Sequence, residues 1–82
     1  MFKNKNHQFN NVCGRKIKEI RITKFPGLSQ RGLADKLQLT GIDLDKNAIQ
    51  RIESGQRFVT DIELLAFSQI LEVSLYELLD IQ

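Results

Sequence analysis

Five short amphipathic segments follow one another along this 82-residue chain, and each is bounded by residues that start or stop a helix. The first covers residues 12–24, where apolar side chains recur near helical spacing before Pro26 and Gly27 turn the chain. No stretch alternates apolar and polar residues in the manner of a strand, and no segment repeats at a fixed period. The sequence therefore predicts an all-α protein of five short helices.

Capping residues predict where the other four helices begin. Ser29 precedes a second helix that starts at Gln30, and Asp45 precedes a third helix that covers residues 46–54 and stops at Gly55. Two further pairs have the spacing of a capping box, in which side chain and backbone satisfy one another's free donors, and they mark the starts of the fourth and fifth helices. These pairs are Thr60 with Glu63 and Ser74 with Glu77.

The apolar positions of the five segments predict the core. In the connection between the second and third helices, Ile42 and Leu44 are the expected apolar anchors. The expected core residues are Val12, Cys13, Ile17, Ile20 and Phe25 from the first helix, Leu33, Ala34 and Leu37 from the second, Ala48, Ile49 and Ile52 from the third, Ile62, Leu65, Ala66, Phe67 and Ile70 from the fourth, and Leu75, Leu78 and Leu79 from the fifth.

Length and composition place the chain among single-domain globular proteins. Hydrophobic residues make up 41% and charged residues 27% of the chain, which argues against disorder. Residues 12–80 are expected to form one domain, and the polar residues 1–11 a flexible basic arm. No uncharged apolar run is long enough for a signal peptide or a membrane span, so neither is predicted.

The residue inventory offers little for catalysis. The chain has one cysteine and one histidine, Cys13 and His7, and no spacing typical of a metal site or an activated nucleophile. A lone cysteine cannot form an intramolecular disulfide, which suits a reducing cytoplasm, and Cys13 is expected to act as a small core residue. We expect no enzyme activity, no cofactor, no metal and no small-molecule effector.

Charge is distributed unevenly along the chain. All twelve Lys and Arg residues lie at or before Arg57, and residues 1–57 also carry five acidic residues, which gives a net charge of +7. Residues 58–82 carry five acidic residues and no basic residue, a net charge of −5. A basic end suits a polyanion such as nucleic acid, whereas the acidic end is expected to face elsewhere. Uneven charge also arises by chance in small proteins.

Four segments resemble, in their order and helix lengths, the helix-turn-helix domains of the phage Cro and repressor type. These segments are Ile17-Lys18-Glu19-Ile20-Arg21, Leu28-Ser29-Gln30-Arg31-Gly32-Leu33-Ala34-Asp35-Lys36-Leu37, Ala48-Ile49-Gln50-Arg51-Ile52-Glu53-Ser54-Gly55, and Leu65-Ala66 with Val73-Ser74-Leu75-Tyr76-Glu77-Leu78-Leu79. The family, also called XRE-like, is widespread among bacterial and phage transcription regulators. The resemblance covers residues 12–80 and implies a compact five-helix repressor-like DNA-binding domain, with helices 2 and 3 as the helix-turn-helix.

In that family the second helix of the motif lies in the major groove and the first lies across the DNA backbone. The groove helix here would be the third predicted helix, with Ile49 and Ile52 facing the core. Its opposite stripe holds four side chains whose donors and acceptors suit guanine and adenine edges. These expected base contacts are Lys46, Asn47, Gln50 and Arg51. The alternative is that this stripe is the solvated face that any amphipathic helix has.

The resemblance also implies phosphate contacts and one structural pair. Gln30 corresponds to a family position that contacts phosphate and steadies the groove helix. Glu53 corresponds to a family glutamate that pairs with an arginine of the first helix, for which Arg21 is the match. The basic candidates could instead serve solubility alone. The expected phosphate contacts are Gln30, Arg31, Arg57, Arg15 and Lys16.

The chain departs from the family pattern between the second and third helices. Gln38 stands where the family has a glycine, and the segment 38–44 is longer than the usual turn. The extra residues either extend the second helix by a turn or form a longer loop. Because this lengthened turn lies near the expected DNA side, it would either add a phosphate contact or obstruct the approach.

The resemblance implies a sequence-specific, double-stranded DNA-binding transcriptional regulator, in this case a repressor, located in the cytoplasm at the nucleoid and encoded by a bacterium or a phage. A homodimer would read two half-sites about 10 base pairs apart. The alternative function is a helix-turn-helix protein-interaction module, such as an antitoxin, antirepressor or adaptor, without DNA specificity of its own. The expected dimer surface, unless these residues complete the core, is Phe67, Leu71, Leu75, Tyr76 and Leu79.

Overall fold

Five α-helices make up the regular structure of residues 9–81, which are the residues that the computed structural model of the protein describes. This part of the chain contains no extended β-strand, so the predicted all-α class is confirmed. The helices are α1 (Gly14–Lys24), α2 (Gln30–Leu39), α3 (Lys46–Glu53), α4 (Asp61–Leu71) and α5 (Leu75–Leu79). None of the helices in this range is long and apolar enough to cross a membrane. Residues 1–8 of the expected arm, including His7, lie outside the described residues.

The predicted capping residues set the helix starts. Ser29 Oγ accepts a hydrogen bond from Gly32 N at 2.9 Å, and Asp45 Oδ1 accepts one from Ala48 N at 2.8 Å. These bonds satisfy amides that have no partner within the helix. As a result, α2 and α3 begin at the predicted residues Gln30 and Lys46.

The two capping boxes differ in completeness. Thr60 and Glu63 bond in both directions, with Glu63 N to Thr60 Oγ1 at 3.2 Å and Thr60 N to Glu63 Oε1 at 3.0 Å. Ser74 Oγ accepts from Glu77 N at 3.1 Å, which is one half of the predicted box. Both pairs nevertheless mark the starts of α4 and α5, as the sequence predicts.

Two helix boundaries differ from the prediction. Helix α1 begins at Gly14, two residues later than expected, because Asn11 Oδ1 accepts from Gly14 N at 2.7 Å and holds the preceding residues outside the helix. Val12 is therefore 49% exposed and not a core residue. At the other boundary, α3 ends at Glu53, and Ser54 is its C-cap.

Four helix ends close with a left-handed residue. Gly41 and Gly55 have φ of +88° and +84° after α2 and α3, which glycine adopts without a side-chain clash. After α4 and α5 the same role falls to Glu72 and Asp80, at φ of +58° and +57°. The glycine-ended helices were predictable, whereas these two ends carry no glycine signal.

The core lies between all five helices, and its largest fully buried side chain is Phe67. Phe25, Ile42, Ile70 and Leu79 pack partly buried against it. The remaining buried apolar residues are Cys13, Ile17, Ile20, Leu33, Ala34, Leu37, Leu44, Ala48, Ile49, Ile52, Ala66, Leu71 and Leu78.

The prediction for α4 and α5 was wrong at three core positions. Ile62 is 67% exposed, Leu65 is 49% exposed and Leu75 is 39% exposed. Helix α4 is apolar nearly all round, so periodicity did not identify the inward face; that face is centred on Ala66, Phe67 and Leu71. Phe67 and Leu71 are completely buried, so they complete the core and cannot belong to a dimer surface.

The lengthened turn is a short extension of α2 followed by a loop. Helix α2 continues to Leu39, and Ile42 N then bonds back to Leu37 O at 3.0 Å, which closes the helix end. Leu44 is 2% exposed and anchors the loop in the core, while Leu39 is 88% exposed. The loop therefore leads into α3 with its apolar anchor buried.

Candidate nucleic-acid interface

Helix α3 has two chemically distinct faces. Ile49 and Ile52 are completely buried, and Ala48 is 8% exposed, so this face holds the helix on the core. The opposite face consists of the four predicted base-contact residues, all of which are exposed. They are Lys46, Asn47, Gln50 and Arg51.

A shallow, open depression of about 450 Å³ lies on this exposed face. Three of the predicted residues line it, and Ser54 and Gln56 complete the lining. All five lining side chains are polar and none is acidic, so the depression offers donors and acceptors without a charge that repels phosphate. The residues that line it are Asn47, Gln50, Arg51, Ser54 and Gln56.

Ser54 and Gln56 were not among the predicted site residues. Ser54 follows Asn47 and Gln50 at helical spacing, so extending the stripe by one turn would have found it. Gln56 is placed by the turn after α3, where Gln56 N bonds to Arg51 O at 2.8 Å and folds the chain back. No local sequence pattern predicts that this turn brings Gln56 beside α3.

A buried ion pair fixes the end of α3 on α1. Arg21 Nε lies 2.7 Å from Glu53 Oε2, and Arg21 Nη2 lies 3.0 Å from Glu53 Oε1, so the contact is bidentate. The two side chains are 11% and 2% exposed. Hydrogen bonding to Glu53 raises the pKa of Arg21 above its ordinary value, and the guanidinium also donates to Leu28 O at 2.9 Å. The structure thus brings the predicted structural pair together.

Gln30 joins the same network. Its Nε2 donates to Glu53 Oε1 at 2.9 Å, and the side chain is half-buried at the start of α2. Glu53 therefore receives hydrogen bonds from α1 and α2 while it belongs to α3. Gln30 steadies α3 through Glu53, and its expected phosphate contact stays a prediction. Arg31, the next residue, is exposed.

Arg57 has a carboxylate partner. Its Nη1 and Nη2 lie 3.0 Å and 3.2 Å from the two Glu63 oxygens, and Nη1 also donates to Phe58 O at 2.9 Å. Burial of Glu63 opposes its ionisation, but hydrogen bonds from Arg57 and Thr60 outweigh burial and lower its pKa. The predicted phosphate contact would therefore share this guanidinium with Glu63.

Arg15 and Lys16 lie beside the far end of α3. They line an open cleft of about 540 Å³ together with Ser54 and Gly55, and the acidic residues Glu19, Glu53 and Asp80 line it too. Ser54 also borders the polar depression. The Arg15 guanidinium carbon is 5.8 Å from the centre of the Phe9 ring. Lys16 Nζ is 3.7 Å from Glu19 Oε1 in a surface pair that contributes little stability. The two basic residues therefore adjoin the exposed face of α3.

The described residues provide no metal site and no reactive thiol. No group of three or more His, Cys, Asp or Glu side chains within residues 9–81 is placed to hold a metal ion. Cys13 is 2% exposed, and its burial raises its pKa to about 11. A thiol with that pKa is protonated at neutral pH and is a weak nucleophile.

Comparisons of the chain with protein-family models, with curated proteins and with solved structures gave no match. Its function is therefore inferred from its own residues. Two features bear on that inference: the exposed non-acidic face of α3, and the hydrogen-bond network that fixes the helix behind it.

Proposed function

We propose that the protein is a sequence-specific, double-stranded DNA-binding transcriptional regulator that acts as a repressor. In this proposal α2 and α3 form a helix-turn-helix, with α3 in the major groove and α2 across the backbone. The main observation in support is the exposed face of α3. Its four side chains are polar, none of them is acidic, and they lie opposite the fully buried Ile49 and Ile52.

The chemistry of this face suits base edges. Arg51 and Lys46 can donate to O6 and N7 of guanine, and Asn47 and Gln50 can pair with the N6 and N7 groups of adenine. A good bidentate pair of this kind contributes about 1–3 kcal/mol of discrimination against the wrong base. The buried attachment of α3 supports this role because base readout requires side chains on a rigid element.

The surroundings of α3 supply candidates for phosphate contact. Gln30 and Arg31 occupy the first turn of α2, where free backbone amides favour an anion. Arg15 and Lys16 adjoin the other end of α3 through the cleft that they share with Ser54. Such contacts fix the register of a protein on the duplex without reading its sequence.

The same proposal includes a homodimer, located in the cytoplasm at the nucleoid. Two copies related by a two-fold axis would read half-sites about 10 base pairs apart. Exposed apolar side chains on the acidic C-terminal helices support pairing through these helices. They are Ile62, Leu65, Leu75 and Tyr76. Leu79 of the expected dimer surface is half-buried and lines the cleft with Arg15 and Lys16.

Selection of bound duplexes from a randomised library tests the function and the site together. The wild type is expected to enrich a two-fold symmetric motif, and a Lys46→Ala/Arg51→Ala variant is expected to lose that enrichment while keeping its melting temperature. A Lys18→Ala/Lys36→Ala variant removes the same charge from α1 and α2. Lys18 lines the cleft of Arg15 and Lys16 and not the polar depression, so this variant is expected to weaken binding at most and to keep the motif. Failure of the wild type to enrich any sequence contradicts the proposal.

A protein-interaction module is the alternative, and salt dependence separates the two functions. A protein that contacts about 6–10 phosphates loses roughly 10³–10⁵ in affinity between 50 and 200 mM salt. An apolar protein interface does not show this loss. Salt-insensitive capture of a protein partner by the α3 face, together with no DNA enrichment, would favour the alternative.

A further inference from the structure

Two asparagines that precede α1 hold the C-terminal end of α3. Asn11 Nδ2 donates to Ile52 O at 3.0 Å and to Arg57 O at 2.8 Å, while its Oδ1 accepts from Gly14 N at 2.7 Å. One amide side chain therefore joins the start of α1, the last turn of α3 and the segment that follows α3.

Asn10 extends this attachment along the same segment. Its backbone N donates to Gly55 O at 2.7 Å, and its Nδ2 donates to Gln56 O at 2.7 Å. We call Asn10 and Asn11 the asparagine clasp. Helix ends leave carbonyls without intrahelical partners, and the clasp supplies donors to the end of α3 and to the turn after it.

The fit between α1 and α3 is close at the clasp. A Cβ on Gly14 would overlap the Ile52 carbonyl oxygen, and a Cβ on Gly55 would overlap the Phe9 ring. The backbones of α1 and α3 are therefore in direct contact at Gly14, and the hydrogen bonds of Asn11 lie at a point where the two helices have little room to move apart or rotate. A rotation of α3 about its axis would have to break these bonds.

The clasp lies close to the predicted base-contact residues without belonging to them. Gln56, whose carbonyl Asn10 holds, lines the polar depression, and Ile52 follows Arg51 directly in α3. Asn10 and Asn11 are absent from the lining of that depression, although Asn11 lines the neighbouring cleft with Arg15 and Lys16. A change in the clasp would therefore act on base contacts only through the position of α3.

We propose that Asn10 and Asn11 are positioning residues that set the orientation of α3 and thereby the sequence discrimination of the protein. This inference rests on the proposed DNA-binding function. It assigns a role in readout to residues that sequence analysis places in a flexible arm, at a separation of 41 to 46 residues from their partners.

The variant Asn11→Ser separates the hydrogen bond that the Asn11 side chain accepts from the two that it donates. Serine retains an oxygen that can accept from Gly14 N, but it cannot make the two donations to Ile52 O and Arg57 O. Ser74→Ala is the matched control because it removes a cap hydrogen bond from α5, away from α3. Asn10→Ala is a milder second variant, since it loses the side-chain bond to Gln56 O and keeps the backbone bond to Gly55 O.

The experiment measures affinity for the selected duplex and for a scrambled duplex, well below the melting temperature of each variant. Asn11→Ser is expected to lower affinity for the selected duplex about tenfold, the size of one lost base contact, and to leave scrambled binding unchanged. Asn10→Ala is expected to act in the same direction with a smaller effect, and Ser74→Ala to change neither affinity.

Amide hydrogen exchange gives a readout that does not involve DNA. In Asn11→Ser, exchange at Gly55 and Gln56 is expected to accelerate more than exchange in α4, whereas Ser74→Ala should spare both amides. Unchanged discrimination and exchange in Asn11→Ser would overturn the positioning role. A wild type that does not discriminate between the duplexes would instead overturn the proposed function and, with it, this role in readout.

Discussion

Glu53 is the residue at which three helices meet. It is 7% exposed, it belongs to α3, and its carboxylate accepts hydrogen bonds from Arg21 of α1 and Gln30 of α2. Every buried side-chain polar atom among the described residues has a hydrogen-bond partner, so this network is complete. A complete buried network specifies one arrangement of the elements that it joins.

Glu53→Ala is expected to destabilise the fold before it alters sequence preference. Removing the carboxylate leaves the guanidinium of Arg21, only 11% exposed, without its partner, and breaking a buried pair in this way costs about 3–5 kcal/mol. Thermal unfolding of the variant, compared with Glu19→Ala at an exposed position of α1, measures this cost. An unchanged melting temperature combined with a lost DNA preference would show that Glu53 acts in readout instead of in folding.

At the start of α4, Glu63 connects the helix to the segment that precedes it. Glu63 completes the capping box with Thr60 and also pairs with Arg57 in the segment before the helix. These hydrogen bonds are made by the charged carboxylate, and they outweigh its burial in lowering its pKa. The amino end of α4 is thus attached to the loop that follows α3.

The lowered pKa of Glu63 predicts a pH dependence of stability. Its contribution is present above the ordinary glutamate pKa of about 4.3 and is lost as the pH falls through the lower value in the folded state. Melting temperatures of the wild type and of Glu63→Gln, measured between neutral pH and pH 2, are expected to differ at neutral pH and to converge in acid. A difference that persists undiminished at the acid end would contradict this assignment.

The starts of α2 to α5 were predictable from the sequence because their signals are local. Ser29, Asp45, Thr60 and Ser74 each lie three residues before the amide that they cap, so a short window contains both partners. The polar stripe of α3 was predictable for the same reason, since its buried face repeats at helical spacing.

Three other features depend on contacts that a local window does not contain. The inward face of α4 is set by its neighbours because the helix is apolar nearly all round. Glu72 lies in a left-handed conformation at the end of α4, where Lys24 Nζ donates to its carbonyl at 2.8 Å from 48 residues away. The asparagine clasp likewise joins residues that are distant in sequence.

At the scale of the whole molecule, the uneven charge bears on how the proposed regulator would approach DNA. The net charge of +7 lies on residues 1–57, which include α1 to α3, and the net charge of −5 lies on residues 58–82, which include α4 and α5. A polyanion attracts the first part and repels the second, so in the proposed binding mode α3 faces the duplex. In the proposed homodimer, the exposed apolar side chains of α4 and α5 contact the second copy.

Base contacts and phosphate contacts have different energetic signatures. Removing a residue that reads a base relaxes the preference at the base pair that it contacts, whereas removing a phosphate contact weakens binding to all sequences about equally. Arg51 in α3 and Arg31 in α2 are both exposed arginines, so they form a matched pair for this comparison.

The most direct test measures affinity for every single-base substitution of the selected duplex, with the wild type, Arg51→Ala and Arg31→Ala. Arg51→Ala is expected to cost about 1–3 kcal/mol and to flatten the preference at one position in each half-site. Arg31→Ala is expected to lower all affinities in parallel and to reduce the salt dependence. If Arg51→Ala also lowers all affinities in parallel and preserves every base preference, then α3 does not read the major groove and the central claim is wrong.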